Sequence, residues 1–229
     1  MHKTLKEIPD RILQNAVDAL SEANHKCVFG PGPASDIWHY DYYCVLDAAH
    51  AGELFLKALI AKEHPLLIFK NIFRFNASNE YPDGLTIEKL IQSGETHDFS
   101  ALPNILWAVC NIKIQDRGNF DFIRKSRNSI QHFVTPDDSE VNGFRRAALK
   151  FLHEEIGQLA SMHFGIHTIQ HIPGIDDYED LLNALVRHEI KFVFPPDLDI
   201  SEFDEADIEQ TSNGYQKWFE LEASKLEDA

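Results

Sequence analysis

Apolar residues recur at three- and four-residue spacing through most of the first 165 residues, a pattern that predicts amphipathic α-helices. It begins over residues 3–26, where Pro9 is expected to kink or restart the helix. The apolar pattern is strongest from about Ile37 to His64. A helix over this segment would be apolar around most of its circumference. We therefore expect a central helix there, buried between neighbouring helices or between neighbours and a second subunit.

Shorter helices are predicted between loops rich in Gly, Pro and Asn. Thr86 is a suitable N-cap for a helix over residues 87–92, and Gly94 is expected to close it. Further helices are predicted over residues 100–114, around residues 120–132, and from about residue 139 to residue 163. The sequence thus predicts a mainly α protein, an up-and-down bundle of four or five helices.

The pattern changes after Gly165. Residues 190–194 are consistent with a short strand or an extended strip, and residues 197–210 predict an acidic linker before a final amphipathic helix. We therefore predict a helical domain over residues 1–165 and a smaller C-terminal extension over residues 166–229.

Composition places the chain among ordinary globular proteins, with 44% hydrophobic and 25% charged residues in 229. No apolar run approaches the roughly 18 residues that cross a bilayer, and the N-terminus lacks a signal peptide's apolar centre. We expect a cytoplasmic protein without a membrane partner. Cys27, Cys44 and Cys110 are widely spaced and form no C-x-x-C pair, so buried thiols are expected rather than a disulfide framework or a zinc site.

The formal net charge of −16 argues against a broad, non-specific nucleic-acid surface. The charge is uneven, however: residues 197–229 carry −9, whereas residues 111–132 carry +3. Such asymmetry is compatible with RNA binding at one basic patch on an acidic body. The acidic region either competes with RNA for that patch or is a solvated linker.

The basic patch contains the residues with the most chemistry, the hexapeptide from Arg127 to His132. Arg127, Asn128 and His132 supply a cation, an amide and an imidazole within two helical turns, enough to hold a phosphodiester and move protons without a metal or other cofactor. Arg124 and Lys125 add positive charge beside them. The alternative is a solvated Arg on a basic face and a His near a helix C-terminus, where an imidazolium is mildly favoured.

Glu53 is a supporting candidate on the predicted central helix. One interpretation is an i,i+4 pair with Lys57 on an exposed edge of that helix. The other is that Glu53 orients the basic motif.

Three histidines form a separate candidate for metal binding. His163, His167 and His171 are spaced at i, i+4 and i+8, so on a continuous helix their imidazoles would share one face. Gly165 interrupts that spacing. The alternative is a set of partly buried histidines at a helix end and in a loop.

Residues 50–59, read HAGELFLKAL, together with Arg127-Asn128-x3-His132 resemble the HEPN superfamily in composition, order and distance. The resemblance covers residues 5–163 and implies a four- or five-helix bundle that acts as a homodimer. It further implies a metal-independent endoribonuclease in a toxin–antitoxin or antiviral-defence setting, with an antitoxin or regulatory protein as a further partner.

The same resemblance implies roles for the motif residues. His132 would be the general acid or base for attack by the ribose 2′-OH, Arg127 would stabilise charge on the phosphoryl oxygens, and Asn128 would orient the Arg or the phosphate. Some related toxins carry a Tyr two residues after the His, but Val134 stands there in this chain, so control by nucleotidylylation is not expected. The alternative function is a non-catalytic HEPN-type module for dimerisation or for binding a nucleotide or partner protein.

Overall fold

The computed structural model describes residues 3–29, 43–71, 85–132, 141–174, 177–203 and 205–227. Within these ranges the chain is mainly helical, without strands and with an isolated antiparallel bridge between Phe69 and Thr96. The predicted fold class, a mainly helical bundle, is confirmed. The α-helices are α1 Lys3–Lys6, α2 Ile8–Phe29, α3 Tyr43–Glu63, α4 Ile87–Ser93, α5 Leu102–Cys110, α6 Arg117–His132, α7 Val141–Lys150, α8 Gly157–Phe164, α9 Asp177–Arg187, α10 Glu205–Glu209 and α11 Asn213–Glu227.

The predicted helix boundaries hold where breakers and caps define them. The interruption near Pro9 is confirmed, since α1 ends at Lys6 and α2 begins at Ile8. Residues 37–42 of the predicted central helix lie outside the described residues, and α3 occupies the remainder. None of the helices in the described ranges is long and apolar enough to cross a membrane.

The chain forms two compact units. Unit 1 comprises Met1–Val17 and Glu53–Gln115, and unit 2 comprises Asp18–Gly52 and Asp116–Ala229. These are spatial groupings of residues, and the division of the chain after residue 165 stays a prediction.

The core of unit 1 is formed around the second half of α3. Its buried residues include Phe55, Leu56 and Ile60, which explains the continuous apolar character of the sequence there. Lys57 is also buried, and its Nζ donates to Glu53 Oε1 at 2.6 Å and to Thr96 Oγ1 at 3.0 Å. Burial of an ammonium group is tolerated because it is paired and hydrogen-bonded.

Capping defines the smaller elements of unit 1. Thr86 Oγ1 accepts a hydrogen bond from the N–H of Lys89, as expected for the N-cap of α4. Gly94 closes α4 as predicted, but with φ of −84° rather than in a left-handed conformation. A Cβ there would lie 2.3 Å from Phe69 Cε1 and 2.4 Å from the Leu90 carbonyl oxygen, so close packing requires the glycine.

In unit 2 the helical run from Val141 to Phe164 contains a π-helical segment, Phe151–Ile156, between α7 and α8. The N–H of Gly157 donates to the carbonyl of Leu152, five residues earlier. Gly165 ends α8 with φ of 67°, which is favourable for glycine.

Gly52 in α3 allows close packing against this π-helical segment. A Cβ at Gly52 would lie 2.3 Å from Phe151 Cε1, a distance that no side chain tolerates without a shift of the ring. The phenyl ring of Phe151 also makes an edge contact with Phe120 of α6, with centroids 6.1 Å apart. One aromatic ring therefore joins three helical elements within unit 2.

The C-terminal part of unit 2 is held by an aromatic cluster. Residues 190–194 belong to neither a strand nor a helix, and aromatic rings of the terminal helix α11 contact Phe192 and Phe194. The cluster consists of Phe192, Phe194, Phe203, Tyr215, Trp218 and Phe219, with ring centroids of contacting pairs 4.8 to 6.4 Å apart. Tyr215 Oη also donates to the carbonyl of Ile190 at 3.0 Å. The predicted final helix is confirmed, and it docks on its own chain.

The predicted acidic linker is more ordered than expected. A 3-10 turn, Ile200–Glu202, and the short helix α10 occupy part of it. Asp199 caps the 3-10 turn, and Asp207 pairs with Arg187 at 3.0 Å. These acids serve local structure, whereas competition with RNA stays a prediction.

Candidate functional site

Helix α6 carries the candidate motif, and Asp116 fixes where the helix begins. Asp116 Oδ1 accepts from the N–H of Asn119 at 2.9 Å, an N-cap interaction. Its other oxygen accepts from Lys150 Nζ at 2.5 Å, and its N–H donates to Glu155 at 2.9 Å. The hydrogen bond from Lys150, followed by that from the Asn119 N–H, lowers the pKa of the Asp116 carboxyl. The start of α6 is thus hydrogen-bonded to α7 and to the π-helical segment that follows it.

Helices α6 and α7 pack antiparallel. Besides the Asp116–Lys150 pair, Asn119 Nδ2 donates to the carbonyl of Ala147 at 3.1 Å. Further along α6, the ring of Phe122 stacks on Phe144, with centroids 5.5 Å apart. Partner numbers fall along α7 as they rise along α6. Three contacts over two helical turns therefore hold α6 at a fixed rotation about its axis.

That rotation divides α6 into a buried and an exposed face. Phe120, Ile123 and Ser126 are buried at three-residue intervals. The opposite face exposes Lys125, Asn128 and His132, spaced at i, i+3 and i+7. An ammonium group, an amide and an imidazole are therefore presented to solvent along one stripe of a well-packed helix.

Arg127 lies on a different side of α6 from His132. Five residues along an α-helix correspond to a rotation of about 140° and a rise of about 7.5 Å. Consistent with this, Arg127 is half-buried whereas His132 is exposed at the last residue of the helix. Helix α6 therefore presents Asn128 and His132 on one side, whereas Arg127 leaves the helix on a different side.

The positive charge predicted around the motif is partly neutralised. Arg124 Nε donates to Asp121 Oδ1 at 3.2 Å, and Arg117 lies 4.0 Å from the other oxygen of the same carboxylate. The Arg117 guanidinium also lies 5.2 Å from the centroid of Phe120. Arg124 is thus paired, whereas Lys125 is exposed to solvent in the stripe.

Glu53 forms the predicted i,i+4 pair with Lys57, but not on an exposed edge. The side chains are only 13% and 11% exposed. The expectation of an exposed pair is therefore wrong, because the Lys57 ammonium also reaches Thr96 inside unit 1. A role for Glu53 in orienting the basic motif stays a prediction.

The histidine triplet does not share a helical face. Helix α8 ends at Phe164, just after His163, and Gly165 is left-handed. His167 and His171 flank a separate 3-10 turn, Thr168–Gln170. Burial, and then proximity to His167, lower the pKa of His171. Among the described residues no three His, Cys, Asp or Glu side chains are grouped to hold a metal ion.

A buried polar network was not predicted from the sequence. In the π-helical segment His153 is fully buried; its Nδ1 lies 2.9 Å from Thr168 Oγ1 and its Nε2 3.1 Å from Asn24 Oδ1. Asn24 Nδ2 donates to the carbonyls of Thr168 and His171 at 3.0 and 2.8 Å. The only signal in the sequence is a His among the apolar residues of a helix face. Its partners are 15 and 129 residues away.

The network determines the tautomer of His153. Because the amide nitrogen of Asn24 donates to two carbonyls, its oxygen must accept, so Nε2 of His153 carries the proton. Nδ1 then accepts from the Thr168 hydroxyl. Burial lowers the pKa of His153 to about 3. His153 is therefore a neutral structural residue that joins α2, the π-helical segment and the turn at Thr168.

Comparison with family models, curated proteins and solved structures gives no match for this chain. The HEPN resemblance therefore stays a prediction. Function has to be argued from the exposed stripe of α6 and the residues around it.

Proposed function

We propose that the chain is a metal-independent endoribonuclease whose active site includes Arg127, Asn128 and His132. The observation that carries the proposal is the exposed stripe of α6, in which Asn128 and His132 lie one turn apart opposite a buried face. A catalytic base has to reach its substrate, and the exposure of these side chains on a helix fixed in rotation supports that role.

In the proposed reaction the neutral imidazole of His132 accepts the proton of a ribose 2′-OH. The 2′ oxygen attacks the adjacent phosphorus, and the bond to the 5′ oxygen breaks. The departing 5′ oxygen takes up a proton from the His132 imidazolium or from water, which leaves a 2′,3′-cyclic phosphate and a 5′-hydroxyl. Asn128 hydrogen-bonds a phosphoryl oxygen, and Arg127 stabilises the negative charge that gathers on the phosphorane.

The positions of Arg127 and His132 on different sides of α6 favour a homodimeric enzyme. In one chain the two side chains leave the helix about 140° apart. Two copies related by a two-fold axis would place the Arg of one beside the His of the other. Lys125, exposed in the same stripe, would contact the RNA backbone. A toxin or antiviral role in the cytoplasm, restrained by an antitoxin or regulatory protein, completes the proposal.

The test is cleavage of end-labelled single-stranded RNA and tRNA in EDTA by the wild-type chain and three variants. His132→Ala is expected to lower the cleavage rate about 10²- to 10⁴-fold, and Arg127→Ala comparably, with the dimer retained in light scattering. Gln131→Ala is the matched control, because Gln131 is exposed beside His132 in the last turn. It should retain the wild-type rate.

The partial burial of Arg127 favours a second candidate, a non-catalytic module for dimerisation or for binding a nucleotide or partner protein. In that case Arg127 supports packing of α6 instead of contacting phosphate. Wild-type chain that leaves both RNAs intact, or His132→Ala that cleaves as fast as Gln131→Ala, would contradict the enzyme and support this module.

A further inference from the structure

Two of the three cysteines lie in the terminal turns of consecutive helices in unit 2. Cys27 is two residues from the end of α2, and Cys44 is the second residue of α3. The two helix ends are in contact, since Lys26 Nζ lies 2.6 Å from Asp47 Oδ2. Cys27 and Cys44 are 0% and 1% exposed, and their thiols are hydrogen-bonded to each other.

This environment keeps the Cys27 thiol protonated at rest. Neither Cys27 nor Cys44 forms a disulfide. The hydrogen bond to Cys44, and then burial, raise the pKa of Cys27. A raised pKa lowers the thiolate fraction and slows attack on an oxidant. The pair is therefore expected to withstand mild oxidants while the helix ends are closed.

Opening of the helix ends gives access to the sulfurs. Terminal helical turns fray more readily than helix interiors. Phe29 and Tyr43, the last residue of α2 and the first of α3, are already 37% and 45% exposed. Loss of one terminal turn would thus uncover either thiol while its partner stays nearby.

We propose that Cys27 and Cys44 form a redox-modification site that closes an intrachain disulfide when a peroxide reaches the folded chain. One thiol loses its proton, and the thiolate attacks a peroxide oxygen to become a sulfenic acid. The hydroxide released from hydrogen peroxide takes up that proton as water. The second thiol attacks that sulfur and displaces the sulfenic oxygen as a second water. In sum the two thiols lose two protons and two electrons, and one hydrogen peroxide takes them up to become two waters.

Cys110 provides an internal reference for this reaction. It lies in unit 1, at the end of α5, and is only half-buried. Its thiol contacts the carbonyl of Leu59 at 3.9 Å. Burial raises the pKa of Cys110 as well, so a raised pKa does not by itself set Cys27 apart from it. Contact with a second thiol is therefore what distinguishes Cys27 and Cys44 from Cys110.

The experiment titrates the full native chain with hydrogen peroxide until Cys110 is consumed, then blocks free thiols and maps disulfides by mass spectrometry without reduction. We expect the peptides of Cys27 and Cys44 to be joined and to lose two hydrogens, while Cys110 carries sulfenic, sulfinic or sulfonic acid. The same titration in concentrated urea is the control for native geometry. Unfolded chains should also give pairs that include Cys110.

Cys44→Ala should abolish the cross-link, and Cys110→Ala should leave it unchanged. The readout on the wild-type chain needs no variant, so a variant that fails to fold does not remove the test. Native chain in which Cys110 is fully oxidised while Cys27 and Cys44 still react with the blocking reagent would overturn the proposal. So would a cross-link to Cys110 in place of the pair.

Discussion

His132 and His153 belong to the same compact unit, yet their surroundings differ completely. His132 is exposed at the end of α6, in a stripe with Lys125 and Asn128. His153 is fully buried, and both of its ring nitrogens are hydrogen-bonded. The first imidazole is accessible to solvent, whereas the second is held by hydrogen bonds inside the fold. A histidine's role therefore follows from its exposure and its partners. Exposure can be inferred from local spacing, whereas the partners cannot.

The largest effect is expected from Asn24→Ala. The substitution removes the donor to the carbonyls of Thr168 and His171 and the acceptor for the His153 N–H. A buried polar group left without a partner costs about 1–3 kcal/mol, so the free energy of unfolding should fall by roughly 3–5 kcal/mol. Urea denaturation followed by circular dichroism measures the change.

Asn128→Ala is the matched control, since the same amide is removed from the exposed stripe. Its free energy of unfolding should stay within about 0.5 kcal/mol of wild type. Equal losses of unfolding free energy in Asn24→Ala and Asn128→Ala would contradict this prediction, because the buried amide would then contribute no more to stability than the exposed one.

A second prediction concerns acid stability. An unfolded histidine has a pKa near 6.5, whereas burial lowers the pKa of His153 to about 3 in the fold. Above pH 6.5 both states are neutral and the stabilisation is complete. Below it the unfolded chain binds a proton that the folded chain does not, so stability falls by up to about 1.4 kcal/mol per pH unit. Between pH 7 and pH 5, His153 should account for about 2 kcal/mol of lost unfolding free energy.

His153→Gln isolates this contribution, because glutamine is polar but does not titrate. Burial also lowers the pKa values of His97, His171 and His188, and these residues are unchanged in the variant. The difference between the two pH profiles therefore reports on His153 alone. Parallel profiles would show that His153 is protonated in the fold at pH 5.

The sequence predicted the local features of the fold well. The restart at Pro9, the Thr86 cap and the amphipathic faces depend on neighbouring residues, and the structure confirms them. The sequence also predicted that Arg127, Asn128 and His132 lie within two turns of one helix, and α6 carries all three. Which way α6 is turned depends on its contacts with α7, and the face turned inward carries the side chains of Phe120 and Ile123.

Features that join distant parts of the chain could not be predicted. The π-helical segment leaves no periodic signature distinct from that of an α-helix over six residues. The partners of His153 follow from tertiary packing, and a single sequence carries no record of which polar residues meet. The exposed edge expected for Glu53 was wrong for the same reason, since Lys57 also reaches Thr96, 39 residues away. Catalysis by Arg127 and His132 stays a prediction.

The smallest predicted effects on stability concern Gly157 and Gly143, two glycines in the helical run from Val141 to Phe164. A Cβ at Gly157 would lie 2.9 Å from Thr168 Oγ1, the hydroxyl that bonds His153. Thr168 would have to move, weakening that hydrogen bond, so Gly157→Ala should lower the free energy of unfolding by about 1–2 kcal/mol. The fall should be smaller than that of Asn24→Ala, because a single hydrogen bond of the network is strained.

Gly143→Ala is expected to change stability in the opposite direction. Among the described residues nothing lies within 4 Å of a Cβ at Gly143 in α7, and alanine loses less backbone entropy than glycine on helix formation. The free energy of unfolding should rise by up to about 1 kcal/mol, measured by urea denaturation beside Gly157→Ala. The helical state is common to both positions, so helix propensity alone would make both variants more stable. A gain at Gly157 would therefore mean that the turn carrying Thr168 yields without cost, and that the network around His153 is looser than its hydrogen bonds indicate.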